Sequence, residues 1–403
     1  MNKIPTKKSG FNPNWQIKTL NEVCNKISAG GDKPDDCTTE KTEENQIPIF
    51  SNGIKNKGLC GYTKTPTITK PALTISARGT IGFACVRYEP FFPIVRLICV
   101  IPNEKLVVLE FLCYALQYII PQGEGTSVPQ LTIPNFKKIE IPIPPLDEQK
   151  RIASALSKID AYLENTIKLI EEKERFKRGI AKKLLTCKEG ENIPEARFKG
   201  FNDDWRKEKL SSMIKIQGGY AFKSSEFKKS GIPIIRISNI SNTDNNMNMK
   251  EVVYYNEIEN EKSFIIKKSD LLIALSGAPG KSSIYNLEEK AYLNQRVGLF
   301  KIIDTKKINN SFLSQYVFSS IFQNKLKPFI TRGVQPNISP KDIENLDILL
   351  PSLKEQEKIG GYLSLLDAEI DNLKKQKELI KEMKRGAMQK LLSGEVRLVD
   401  NYD

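Results

Sequence analysis

The side chains best suited to act on another molecule are Arg, Lys, Asn, Gln and Ser in loops bounded by Gly and Pro. A guanidinium or ammonium group can bond a guanine edge or a phosphate, and an Asn or Gln amide can bond adenine in a bidentate way. In the first half, Asn52, Lys55 and Lys57 share a Gly-rich loop, Arg78 stands beside Gly79, and Ser127 and Gln130 flank Pro129. In the second half, the matching loops carry Arg236 and Asn239, then Ser276 and Lys281, then Arg332, Gln335 and Asn337. Any one of these is an ordinary surface residue; their recurrence at corresponding loops is what points to readout of DNA bases.

Catalytic sets fare worse. The chain has no histidine, which excludes Ser-His-Asp and Cys-His nucleophiles, imidazole bases and His-ligated metals. Gly280-Lys281-Ser282 resembles the end of a phosphate-binding loop, but the glycine required five residues before Gly280 is Leu275,. Pro34-Asp35 is followed by Glu40-Lys41 without the Glu-x-Lys spacing of a nuclease, Glu171-Glu172-Lys173 falls on a long helical segment with no pocket, and Pro144-Pro145-Leu146 lacks the leading amide and the aromatic of an amino-methyltransferase loop. The expectation is a chain with no catalytic centre and no bound cofactor or metal.

The 62 Lys and Arg against 48 Asp and Glu leave a formal charge of +14. An excess of that size suits a polyanionic partner such as DNA, RNA or an acidic membrane surface. The most apolar stretch, Phe91 to Ile101, contains Arg96 and falls far short of the roughly 20 residues that span a bilayer,. The N-terminus lacks a signal-peptide core. Seven cysteines with no C-x-x-C pair fit a reduced cytoplasm, most of them as small buried residues,.

The elements that must hold the loops emerge from self-comparison. Phe11-Asn12-Pro13-Asn14-Trp15 is echoed by Phe201-Asn202-Asp203-Asp204-Trp205, an offset of 190. Gly79 to Gly82 matches Gly277 to Gly280 at 198, and Phe111-Leu112 matches Phe312-Leu313 at 201. From Pro129 and Pro336 the offset is 207, and Leu146–Leu185 shares 17 of 40 positions with Leu353–Leu392. Three additions, of 8, 3 and 6 residues, therefore lengthen the second globular part, and additions of that kind belong in surface loops,. The chain thus reads as residues 1–145, a globular domain; 146–190, a long helix; 191–352, a second globular domain; and 353–403, a second long helix with a tail.

The matched segments carry a heptad seam: Ile152, Leu156, Ile159, Leu163, Ile170, Ile180 and Leu184 in the first, and Ile359, Leu363, Leu366, Ile370, Leu373, Ile380, Ala387 and Leu391 in the second. Such spacing predicts coiled-coil helices of about 60 Å. Ser352-x-x-Glu355 looks like a capping box. Lys173 and Lys377 interrupt the seam where the other copy is apolar, which favours pairing between the two helices rather than of each with its own kind. Lys177 and Lys384 share one seam position inside Lys-Arg-Gly, so Lys177, Arg178, Lys384 and Arg385 are candidates to touch DNA phosphate or a partner subunit. Ile232 to Ile237 and Asp270 to Leu275 read as buried strands, Phe111 to Ile120 and Phe312 to Phe322 as core helices. The fold class is α+β, with two mixed α/β domains separated by two long helices.

Pro144-Pro145-Leu146-Asp147-Glu148-Gln149 with Ile152, its echo Leu350-Pro351-Ser352-Leu353-Lys354-Glu355-Gln356 with Ile359, Asp160 and Asp367, the paired Lys-Arg-Gly-x-x-x-x-Leu-Leu, and Phe-x-x-x-Trp opening each domain together resemble the specificity subunit of type I restriction-modification enzymes. The likeness covers essentially the whole chain. It implies two target-recognition domains, each reading one half of a split asymmetric site in double-stranded DNA, and antiparallel helices that set the spacer. It further implies two modification subunits methylating adenine with S-adenosylmethionine and two restriction subunits using ATP and Mg, with no catalysis in this chain. A coiled-coil adaptor with protein-binding heads and only non-specific DNA affinity is the competing reading.

Overall fold

The computed structural model describes residues 11–120, 130–240, 247–258, 263–330 and 336–399. The chain divides into two compact units, Met1–Ile167 with Lys375–Asp403, and Lys168–Lys374. Both divisions fall inside the long helices Leu146–Leu185 and Leu353–Ser393, so each unit holds a globular head and a stretch of both helices.

In the first unit, a four-stranded antiparallel sheet runs in the order Cys24–Ala29, Leu97–Pro102, Ala72–Ser76, Ala84–Arg87. A three-stranded sheet places Ile47–Phe50 between Leu59–Thr63 and the short strand Phe92–Pro93, the last pairing being parallel. Gln16–Thr19 pairs with Glu140–Ile143. The strand Ala72–Ser76 is buried along its length because it is central in its sheet and covered by the helix Leu109–Ile119. Leu73, Ile75, Ile98 and Val100 meet Phe111, Leu112 and Leu116 of that helix, and Ile152, Leu156, Leu391 and Leu392 of the long helices close the same core.

The second unit has the corresponding strand order. Its sheets run Ile214–Gly218, Val297–Ile302, Leu271–Ala274, Ser282–Ile284, and Val253–Tyr255, Ile232–Ile235, Ala291–Leu293, Ile265–Ile266, with Arg206–Lys209 on Asp347–Leu350. Both stretches expected as buried strands are strands. Ile234 on Tyr292 is parallel, as Ile49 on Phe92 is, so Ile49 and Ile234 correspond at an offset of 185. The offset therefore falls from 190 before it climbs to 198; the first length difference is a shortening followed by a larger insertion, not a single addition of 8 residues. The edge strand Ile265–Ile266 pairs with Ala291–Leu293 as Ile68 pairs with Phe91 in the first unit, so the insertion precedes it, and Phe222, Phe264, Tyr285 and Tyr292 pack a second core beside it.

Other expectations need correction. The segment from Phe312 to Phe322 is two helices, Asn310–Phe318 and Ser320–Leu326. Ser319 breaks it: its hydroxyl donates to Tyr316 O at 2.6 Å and accepts from Phe322 N at 3.4 Å, capping the second helix,. Ser352 accepts from Glu355 N at 3.4 Å, but the Glu355 carboxylate binds Arg197 rather than returning to Ser352, so only half the capping box forms. All seven cysteines are free, yet only Cys99 and Cys113 are buried, and Cys60 is exposed. No helix among the described residues is long and apolar enough to cross a membrane.

Candidate nucleic-acid interface

In each head four segments converge at one end, held by the same short run of backbone hydrogen bonds. In the first unit, Ile94 N donates to Phe50 O at 2.9 Å, Ala77 N to Arg96 O at 2.8 Å, and Leu131 N to Ala77 O at 2.9 Å. In the second, Asn294 N donates to Ile235 O at 3.0 Å, Leu275 N to Arg296 O at 2.9 Å, and Ile338 N to Leu275 O at 2.9 Å. The sheets thus deliver to one place the loop after the strand Ile47–Phe50 (or Ile232–Ile235), the turn after Ala72–Ser76 (or Leu271–Ala274), the turn before Leu97–Pro102 (or Val297–Ile302), and the entry to the segment at Leu131 (or Ile338). These are the loops that carry the candidate residues.

The first-unit loop is tightly made. Ser51 N donates to Gly58 O at 2.8 Å, Asn56 and Lys57 adopt left-handed φ values of 49° and 52°, and Gly58 follows at 84°. A Cβ on Gly58 would stand 2.3 Å from Ser51 O, so only glycine closes this loop,. Asn52 turns inward: its Nδ2 donates to Arg78 O at 2.9 Å, tying two candidate loops together. Lys55, Lys57, Arg78 and Gln130 are exposed, as base- or phosphate-contacting groups must be. Beneath them lies Arg87, which sequence reasoning missed. Its guanidinium is buried, sits 3.6 Å over the Phe50 ring, donates from Nε to Thr74 Oγ1 at 3.1 Å, and donates from Nη2 to Lys57 O. Burial pushes its pKa below the usual arginine value. Nothing in the local sequence distinguishes Arg87 from a surface cation; only its neighbours in the sheet do.

The second-unit loops use their polar groups differently. Asn239 is buried, accepts from Arg236 N at 2.9 Å, and donates from Nδ2 to Asn248 O at 3.0 Å. Its amide is spent on shaping the loop and is not presented to a base. Arg236 donates to Glu251 O at 3.3 Å, with its guanidinium 5.9 Å from the Phe227 ring centroid. Ser276 pairs with Asn337 in a backbone bridge, and its buried hydroxyl has no hydrogen-bond partner among the described residues. Asn337 is exposed and Lys281 half-buried. Gly280-Lys281-Ser282 turns between the antiparallel strands Leu271–Ala274 and Ser282–Ile284, not from a strand into a helix, which removes the geometry a phosphate-binding loop needs,. Ser127, Arg332 and Gln335 lie outside the described residues.

The helix candidates separate into two kinds. Lys384 reaches Asp160 at 2.6 Å, and Lys177 reaches Asp367. Asp160 also accepts from Tyr114 Oη at 2.7 Å, and Asp367 from Gln315 Nε2 at 2.8 Å. Burial and that bond to Asp160 push the Tyr114 phenol well above its usual pKa. Both lysines, expected to face phosphate or a partner, are thus engaged with carboxylates of the other long helix inside their own unit. Arg178 and Arg385, one residue on, are exposed.

The Glu-Gln of each motif is also structural. Glu148 accepts two bonds from Arg397, at 2.6 and 2.7 Å, and Glu355 accepts two from Arg197, both at 2.8 Å. Gln149 accepts from Val108 N and donates to Leu106 O and Pro144 O; Gln356 accepts from Asn309 N and donates to Lys307 O and Pro351 O. Each glutamine therefore satisfies the backbone of the turn entering a head helix, where unpaired groups would be costly.

Comparison with known proteins agrees with this architecture. The chain is 31% identical over 307 residues to the type I restriction enzyme MjaVIII specificity subunit of Methanocaldococcus jannaschii, covering 73% of this chain and 72% of that one. It is 24% identical over 353 residues to the MjaIX specificity subunit of the same organism, covering 82% and 78%. In fold it resembles the crystal structure of the type I restriction-modification S subunit from M. genitalium, with a TM-score of 0.63, 19% identity, and coverage of 97% and 99%. The model of the type I restriction modification DNA specificity domain matches residues 12–172 and again 202–382, and on that double match the chain belongs to the family of type I restriction-modification specificity subunits.

Proposed function

We propose that each head reads one half of a split, asymmetric DNA sequence through its four converging loops, and that the two long helices fix the spacing between the halves. Family membership supplies the coarser statement: the chain is a sequence-specific DNA-binding specificity subunit without catalysis of its own. The observation that carries the finer reading is the recurrence of one backbone frame in both heads with different side chains on it. Arg78 and Asn52 in one head stand where the other has Ser276 and the segment Arg236–Asn239. Different donors and acceptors select different bases, so the half-sites differ in sequence. The boundaries expected from sequence, 1–145 and 191–352 for the target-recognition domains and 146–190 and 353–403 for the helices, are the parts this reading assigns.

The remaining assignments follow the same reading. Two modification subunits, which carry S-adenosylmethionine, dock on the long helices, where Phe176 and Met383 are exposed at matched positions beside Arg178 and Arg385. Two restriction subunits bring ATP and Mg. A repeat of 40 residues reaches about 60 Å as helix, enough to set two reading heads at least one DNA turn of about 34 Å apart. The test is methylome sequencing of cells expressing this chain with its modification subunits. The expected result is adenine methylation at one split motif with unlike halves. No such motif, with DNA affinity that stays non-specific, would replace this reading with that of an adaptor whose heads bind proteins.

A further inference from the structure

We infer that Arg96 and Arg296 are a matched pair of phosphate-gripping residues that register each head on the duplex. The inference rests on the DNA-reading function proposed above and adds two residues to it. Each arginine follows by two residues the backbone N–H that hooks onto the end of the central strand, Ile94 on Phe50 and Asn294 on Ile235. Each offers its own carbonyl to the turn carrying Arg78 or Ser276, through Ala77 N and Leu275 N. Their backbones are therefore pinned on two sides in the same way in both heads, and both side chains are exposed while Leu97 and Val297, next in sequence, are buried.

Two features argue that the side chain, not the turn, is the reason for arginine there. Arg96 sits at φ 73°, in the left-handed region that costs an L side chain about 1 kcal/mol and that glycine or asparagine would occupy more easily,. Arg296 lines a cleft of about 430 Å³ with the polar residues Ser276, Gln295 and Asn337, where the buried Ser276 hydroxyl has no hydrogen-bond partner among the described residues. The loops around the two arginines differ between heads, as readers of unlike sequences must. The arginines do not differ, and a contact common to both heads is one made to the part of DNA common to all sequences. Phosphate contacts position a protein and base contacts specify, and the planar guanidinium can bond two phosphate oxygens at once.

The experiment uses the full chain assembled with its modification subunits and a duplex containing the methylated motif. Binding is measured between about 0.05 and 0.2 M salt for wild type, Arg96→Asn, Arg296→Gln and the two Arg→Lys variants, with melting curves to confirm folding. Asparagine accepts the left-handed backbone at position 96. Each charge-removing substitution is expected to lower the slope of log affinity against log salt by about 0.9 and weaken binding about tenfold, leaving the methylated motif unchanged; lysine keeps the slope. Unchanged slope and affinity in folded variants would overturn the inference, and so would degeneracy at one base pair of a half-site, which would make the arginine a base reader. A wild-type complex that methylates no split motif would overturn the parent reading instead.

Discussion

Arg87 shows how a residue with no signature of its own can hold a loop that carries candidate DNA-contacting residues. It is buried against Phe50 and ties Lys57 O to the sheet, so the left-handed turn at Asn56, Lys57 and Gly58 is fixed from below. Arg87→Met keeps length and loses both bonds. The expected cost is about 1–3 kcal/mol in a melt, with methylation becoming degenerate in the half-site read by the first head and staying sharp in the other. Two sharp halves at wild-type stability would show that the loop does not depend on Arg87. The exposed candidates Lys55, Lys57, Arg78 and Gln130 could be picked out from residue type and Gly or Pro neighbours. Asn239 could not be judged that way, because its burial depends on Asn248 and on the loop it closes. Arg96 was visible only as a charge that interrupts an apolar stretch; its matched place with Arg296 needs the paired strands to be seen.

At the scale of elements, the long helices were the most readable part of the chain, since a seven-residue repeat declares both helix and face. Every seam position from Ile152 to Leu184 and from Ile359 to Leu391 is buried or half-buried, whereas Leu365 and Leu379, off the seam, are 71% and 64% exposed. What the repeat could not declare was the partner of each seam lysine, because Lys177 and Asp367 lie 190 residues apart in sequence. Asp160 and Asp367 are equivalent, as are Lys177 and Lys384, so each lysine meets the aspartate of the opposite copy's helix. Lys173 with Glu369 at 2.6 Å and Lys374 with Glu174 at 2.8 Å also join the two helices, though these pairs are not repeated between the copies. Such pairs select partner and direction more than they add stability. In a double-mutant cycle on Asp160→Asn and Lys384→Met, each single change is expected to cost about 1–2 kcal/mol, discounted for partial exposure, with a coupling of about 1 kcal/mol. Zero coupling in urea melts would mean the pair is incidental.

Taken as a whole, the molecule carries two sets of unlike loops on the same architecture, and the +14 charge suits the proposal that both sets grip a polyanion,. The duplication was legible because its most regular part, the helices, keeps a constant offset. The detailed equivalence of the heads was not, since the offset drops to 185 at Ile49 and Ile234 before it rises again, and only strand pairing shows which residues correspond. The central claim is that the two heads read independently. It is tested most directly by replacing residues 201–352 with the equivalent segment of another specificity subunit of known target, expressing the chimaera with the modification subunits, and sequencing the methylome. The expected motif keeps one half-site and the spacer of the parent and takes the other half-site from the donor. A motif in which both halves change, or a parental motif that persists intact, would contradict it.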